Sequence, residues 1–529
     1  MNRYVFGMGA VFGLLLPATV SLAADDRVTP VSTAKPAAPA SAPPATPPDP
    51  QFRNEAQGLQ APKVTGTDSE RNKYHFFGSL KIRLEETGYF GTTKADPNYT
   101  FVGSIARFGV RRETHTDDFL LELASPGLFG LPQHASASSP QGALGQGATY
   151  FASNGKRVAS LFPKQFYERF KRVGGSNTDI RVGRFEFVDG AENRVTDASL
   201  AYLKQNRIAN RLISPNPFSY VGRSFDGAEV KSRTPHFLLT ALAAMPTRGG
   251  YDLSGADTLT KVKVAYLSGS ISRENRKQKT ASDSRLFGVF YEDTRGLSAP
   301  KVDNRPSAVR AVDAGAIDIG TFGLHDVRLF PAGTGRVDTL VWGAAQVGRW
   351  GALTQGSFAY DLEAGYQPGH GRLHPWYRMG YYYGSGDGNA TNHQHGTFYA
   401  MLPSGRTYAR FPFFSTSNLK DGFVETVLRP SSKSVIRADI HALGLASNKD
   451  LYYTGSGVYD NSNFGISGRP ASAKGASLAT LYDASLDYQL NSTTLFIVYG
   501  GFAHGGATLR NIYNNSDALF TYFELQKRF

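Results

Sequence analysis

Arg437, Asp439 and His441 occupy every second position of one short run, with Ile436, Ala438, Ile440 and Ala442 between them. In an extended strand, residues two apart share a face, so a guanidinium, a carboxylate and an imidazole would stand in a row opposite an apolar surface. Asp361 and Glu363 repeat the arrangement around Leu362, Arg378 lies between Tyr377 and Met379, and Lys81, Arg83 and Glu85 alternate with Leu80, Ile82 and Leu84. Such rows have two uses. Opposite charges can pair to brace a wall, and rings of Arg and Lys can line a pore that selects anions. The sequence holds no Gly-x-Ser-x-Gly elbow, no His-Glu-x-x-His and no Gly-x-x-x-x-Gly-Lys phosphate loop, so no catalytic residue is singled out, and neither a cofactor nor a resident metal is expected. His393-Gln394-His395 offers two imidazoles, but its neighbours Asn389, Asn392 and Gly396 make it read as a solvated loop. Asp387, in Ser385-Gly386-Asp387-Gly388-Asn389, lacks a downstream glutamate at calcium-loop spacing and reads as a turn.

The elements that would hold these rows are strands, because the dominant period is two. In residues 78–85, Leu80, Ile82 and Leu84 oppose Ser79, Lys81, Arg83 and Glu85. In 260–266, Val262, Val264 and Tyr266 oppose Lys261 and Lys263; in 358–366, Phe358, Tyr360, Leu362 and Tyr366 oppose Asp361 and Glu363; in 482–490, Tyr482, Leu486, Tyr488 and Leu490 oppose Asp483, Ser485, Asp487 and Gln489. A helix would scatter these residues around its circumference. Charged positions facing aromatic-rich ones match the lumen and lipid faces of an outer-membrane barrel, with the apolar sets toward lipid. The last run supports this reading: Phe523, Leu525 and Phe529 share one face of an amphipathic strand ending in an aromatic residue, the form that outer-membrane assembly machinery recognises.

Export is expected from the other end. Arg3, the apolar run 4–20 and the small residues Ser21-Leu22-Ala23 make residues 1–24 a signal peptide. Residues 25–73, rich in Pro, Ala, Ser and Thr, are expected to be a disordered periplasmic linker, which would contact peptidoglycan or an export scaffold if it binds anything. Beyond the leader no uncharged apolar run reaches the ~18–20 residues of a spanning helix. The count of 35 Phe, 27 Tyr and 57 Gly against 0 Cys suits strands and turns in an oxidising compartment and leaves no lipidated or disulfide-bonded cysteine. The net charge of +13 calls for an anionic counterpart, which export narrows from nucleic acid to lipopolysaccharide, acidic polysaccharide or small anions. Within lipid every backbone N–H and C=O needs a partner, so residues 74–529 are expected to close into an antiparallel transmembrane β-barrel. At ~9–11 residues per crossing plus turns and loops, that length gives roughly 16–20 strands.

Val182-Gly183-Arg184-Phe185-Glu186-Phe187, followed by Val221-Gly222-Arg223-Ser224-Phe225-Asp226-Gly227, resembles a strand pair of the alginate export family of outer-membrane proteins. Pro375-Trp376 with Gly384-Ser385-Gly386-Asp387, Gly396-Thr397-Phe398 with Leu402-Pro403, the Arg437 to His441 run and Asp450-Leu451-Tyr452-Tyr453 extend the likeness from about residue 179 to the C-terminus. The Pro-rich linker is not part of that pattern, and the region before 179 matches it poorly. The resemblance implies an all-β, 18-stranded monomeric barrel whose Arg- and Lys-lined constriction conducts an acidic polysaccharide. It adds Arg184, Arg223 and Asp226 to Arg83, Asp361, Glu363, Arg378, Arg437, Asp439 and His441 as expected lumen residues.

The expected function is passive, charge-guided passage of a uronate-type polymer across the outer membrane, in contact with lipid and lipopolysaccharide, with the linker and C-terminus in the periplasm. Uptake of small anions or sugars, and a surface enzyme or adhesin on a barrel scaffold, are the competing functions.

Overall fold

Backbone pairing is met by closure. The computed structural model describes residues 72–404 and 408–529, and its strands run in chain order: β1 His75–Gly88, β2 Asn98–Glu113, β3 Asp117–Phe129, β4 Phe162–Phe170, β5 Thr178–Phe185, β6 Phe225–Arg233, β7 Leu238–Pro246, β8 Val262–Asn275, β9 Thr280–Asp293, β10 Ile317–Ala332, β11 Gly335–Trp350, β12 Leu353–Gln367, β13 Trp376–Gly384, β14 Gln394–His395, β15 Leu419–Ser431, β16 Ser434–Gly444, β17 Leu451–Gly455, β18 Ile466–Pro470, β19 Ser477–Asn491, β20 Thr494–Gly505 and β21 Asp517–Arg528. All but β14, β17 and β18 pair antiparallel with their neighbours, and β1 pairs with β21 from Ser79↔Arg528 to Gly88↔Leu519, so 18 strands form a closed wall without an open edge. No helix among the described residues is long and apolar enough to cross a membrane. The expected signal peptide and nearly all of the expected linker lie outside the described residues.

Alternation decides which way each side chain points. On β12, Phe358 and Leu362 are each 49% exposed on the outer face, while Asp361 and Glu363 are buried inside. Phe358, Tyr360 and Tyr383 stack on the outside with centroids 5.5 Å apart for each pair with Tyr383, as expected of an interfacial aromatic girdle. β8 reverses the expected polarity. Val262, Val264 and Tyr266 are buried inside and Lys263 points out, paired with Glu292 at 2.9 Å. The reason is local: Phe187, in the connection after β5, folds inward and packs its ring 5.2 Å from Tyr266, which gives the inner face an apolar partner.

The two ends of the barrel differ. Long connections, including 89–97, 130–161, 186–224, 294–316, 385–418 and 445–476, gather at one end. Short turns such as 114–116, 234–237, 333–334, 432–433 and 492–493 lie at the other, where β1 begins and β21 ends.

Candidate functional site: a constricted lumen

Residues 186–224 leave the wall after β5 and cross the interior. Asp197 caps the short helix Ala198–Leu203 by accepting from the N–H groups of Ser199 and Leu200, which orients the following turn, Lys204–Ile208, toward the wall. Lys204 Nζ donates to Asp283 Oδ2 at 2.5 Å, Arg207 Nε donates to Glu363 at 2.8 Å, and Arg211 donates to Asp361 and to the Tyr408 hydroxyl. On the far side, Lys81 Nζ donates to the Pro217 carbonyl at 2.9 Å, Arg83 sits 3.7 Å from the Phe218 ring centre, and the Tyr220 hydroxyl donates to Glu85 at 2.5 Å. The segment thus spans from β9 and β12 to β1. Gly103 makes room for it: a Cβ there would lie 2.1 Å from the Tyr220 ring. Burial works against the Lys204 ammonium and lowers its pKa, with Asp283 opposing the shift; for Arg211, Tyr408, Asp361 and Glu363 outweigh burial and hold the guanidinium above its ordinary range.

A second inward stretch, residues 396–404 with 408–415, joins the first through Leu402 N–H to the Leu212 carbonyl at 3.0 Å and Ser404 N–H to the Asn210 carbonyl at 2.9 Å. Its Arg410 donates to Asp487 on β19 at 3.0 Å. Between the two segments and the wall made by β15, β16 and β19 lies a cavity of about 90 Å³, whose charged lining is Arg207, Arg410, Arg437, Glu425, Asp439 and Asp483.

The expected lumen residues fall into four groups. Arg437, Asp439 and His441 share the inner face of β16, and the first two line the cavity. Asp361, Glu363 and Arg378 form a closed brace, in which Arg378 reaches Glu363 at 2.7 Å, Asp338 at 3.2 Å and Glu425 at 3.3 Å with its side chain fully enclosed. Arg83 faces inward but is enclosed by Glu524 at 2.5 Å and Glu85 at 3.2 Å. The fourth group corrects the expectation. Arg184 and Asp226 pair directly at 2.6 Å on the outer face, because their register sets them beside Phe166, which is half exposed on that face. Arg223 precedes β6 and is buried against the carbonyls of Ser456 and Val458 rather than set along an open lumen.

Phe523 and Leu525 are half exposed on the outer face of β21, and Phe529 is exposed beyond its end. The solvated-loop reading fails for His395, which is buried, stacks on Trp350 at 4.3 Å and binds Gln355 through Nδ1 at 2.6 Å. Asp387 closes a turn by accepting from Asn389 N–H at 2.8 Å. Residues the sequence reading did not single out are Arg207, Arg211 and Arg410, in connections without periodicity, and Glu425, whose strand alternates weakly. Asp483 was visible as the inward partner of Tyr482.

A family model for alginate export matches residues 163–518, more than half of the chain. The chain belongs to the alginate export family. Solved barrels share its fold: OccAB2 of Acinetobacter baumannii is 10% identical, with TM-score 0.51 over 85% of this chain and 98% of that one. OccK9 (OpdG) of Pseudomonas aeruginosa is 11% identical, with TM-score 0.51 over 86% and 98%, and OpdK of the same organism, in its structure with vanillate, is 11% identical with TM-score 0.50 over the same shares. At these identities the likeness speaks for fold alone. No curated protein matches the chain. Family and architecture together make this alginate export family member an outer-membrane β-barrel pore.

Proposed function

We propose that the barrel conducts an anionic, uronate-type polysaccharide or oligosaccharide, passively, along the β15–β16–β19 side of the lumen. The observation that carries this reading is the presence of Arg207, Arg410 and Arg437 on one cavity inside an alginate export family barrel. A carboxylate entering a narrow lumen loses hydration, and a fixed guanidinium replaces it. Asp487, held by both Arg410 and Arg437, keeps those arginines in place and weakens their grip on the passing chain. Tyr408 and Tyr499, also on the cavity, offer ring faces to the sugar. The cavity is below the ~300 Å³ at which ligand pockets begin, so the inward segments have to shift for a sugar ring to pass.

Outer-membrane barrels turn tightly on the periplasmic side, which supports a periplasmic position for β1's start, β21's end and the linker, where an export scaffold or peptidoglycan would be met. The barrel works as a monomer, surrounded by lipid and lipopolysaccharide, after assembly guided by Phe523, Leu525 and Phe529. A second reading, uptake of small carboxylates, is favoured by the small cavity and by a fold relative crystallised with vanillate.

Single-channel recording in planar bilayers separates these readings. The polymer reading expects anion selectivity and block by oligouronates that weakens in Arg410→Ala and Arg437→Ala. Block by vanillate without block by oligouronates supports uptake, and a cation-selective pore indifferent to both substitutions contradicts the proposal.

A further inference from the structure

Glu425, Asp439 and Asp483 stand directly opposite one another on β15, β16 and β19, which sets three carboxylates in a row across the inner wall. Like charges directly opposed on neighbouring strands destabilise a sheet. Glu425 is compensated by Arg378 and by the Tyr202 hydroxyl, which donates at 3.1 Å. Asp483 accepts from the neutral Tyr499 hydroxyl at 3.1 Å and its carboxyl lies within hydrogen-bonding reach of that of Asp439, Asp439 Oδ1 is buried without a hydrogen-bond partner, and among the described residues neither aspartate makes an ion pair.

His441 completes the cluster. It lies two residues along β16 from Asp439 on the same face and is 1% exposed, and one of its ring nitrogens lies within 4.8 Å of a carboxylate oxygen of Asp439 and of Asp483. Its Nδ1 is held 3.0 Å from both carboxylate oxygens of Asp421, and its Nε2 is buried without a partner. A carboxylate on one ring nitrogen is the support that fixes a histidine as a metal ligand through the other.

We propose that Asp439, His441 and Asp483 form a divalent transition-metal site, of the zinc class, on the wall of the lumen. The imidazole argues against calcium and magnesium, which take oxygen ligands, and one nitrogen with two carboxylate oxygens suits zinc. Three protein ligands leave a coordination position open, and because Asp439 and Asp483 also line the cavity, that position faces the space through which solute would pass. The bound dication offsets two facing carboxylates that make no ion pair among the described residues.

Isothermal titration of the detergent-folded, full-length barrel with zinc chloride tests this. The wild type is expected to bind one zinc per chain. Asp439→Asn with His441→Asn should weaken that binding at least tenfold, and His393→Asn, on an exposed turn, should leave it unchanged. Zinc-edge X-ray absorption of the wild-type complex, which needs no variant to fold, is expected to report one imidazole nitrogen among oxygen ligands. Absence of stoichiometric binding, equal binding by the double variant, or a shell with several imidazoles would overturn the site.

Discussion

On the β9–β12–β13 side of the lumen, Lys204, Arg207, Arg211 and Arg378 are enclosed by Asp283, Glu363, Asp361, Asp338 and Glu425, with no side chain of the set more than slightly exposed. On the β16–β19 side, Arg437 and Asp487 meet only at 3.5 Å and stay partly open, while Asp439 and Asp483 face each other without an ion pair among the described residues. Both walls present the same residue types at the same spacing. What separates them is the segment 197–213, whose Lys204, Arg207 and Arg211 all pair with carboxylates of β9 and β12, and of which Arg207 alone also borders the cavity on the other side. Alternation therefore sets the direction of a charge, and the inward connections decide whether it braces the wall or remains available to a solute.

The largest way to break this contrast is Arg378→Ala. It removes the one guanidinium shared by Asp338, Glu363 and Glu425, and breaking a buried network by removing one partner costs about 3–5 kcal/mol; urea unfolding from lipid vesicles should show a loss of that size. Leu362→Arg, on the outside of the same strand, is expected to cost about 2–4 kcal/mol if it lies near the bilayer midplane, and an unchanged unfolding midpoint would argue that this face does not meet lipid. Arg207→Ala combined with Arg211→Ala should loosen the crossing segment and raise single-channel conductance; unchanged conductance would remove that segment as the constriction. Arg437→Ala should leave stability within about 1 kcal/mol, as for other partly exposed pairs, while shifting the reversal potential toward cations.

Much of the wall was legible because a strand needs only period two. Lys81, Arg83, Glu85, Asp361, Glu363, Arg378, Asp439 and His441 all face inward as their alternation requires. The failures have physical causes. Arg184 and Asp226 were placed by motif likeness, and motif order carries no information about which face a residue takes in a strand. β8 alternates correctly but with its apolar face inward, because a strand end packed against an inward connection has an apolar neighbour inside and a lysine–glutamate pair outside. The plug was illegible. Arg207, Arg211 and Arg410 reach Glu363, Asp361 and Asp487 across long sequence separations from segments without a repeating pattern, and nothing local announces such contacts.

The chain contains 0 Cys, so single introduced thiols can be probed while current is recorded. Ser485→Cys lies on the cavity beside Arg437, whereas Ala359→Cys lies on the inner face of β12 two residues from Asp361, within the enclosed wall. The account predicts that a negatively charged, thiol-specific sulfonate reagent reduces the current through Ser485→Cys and leaves Ala359→Cys unaffected. Modification of Ala359→Cys with Ser485→Cys untouched would place the conducting path on the wrong wall and contradict it.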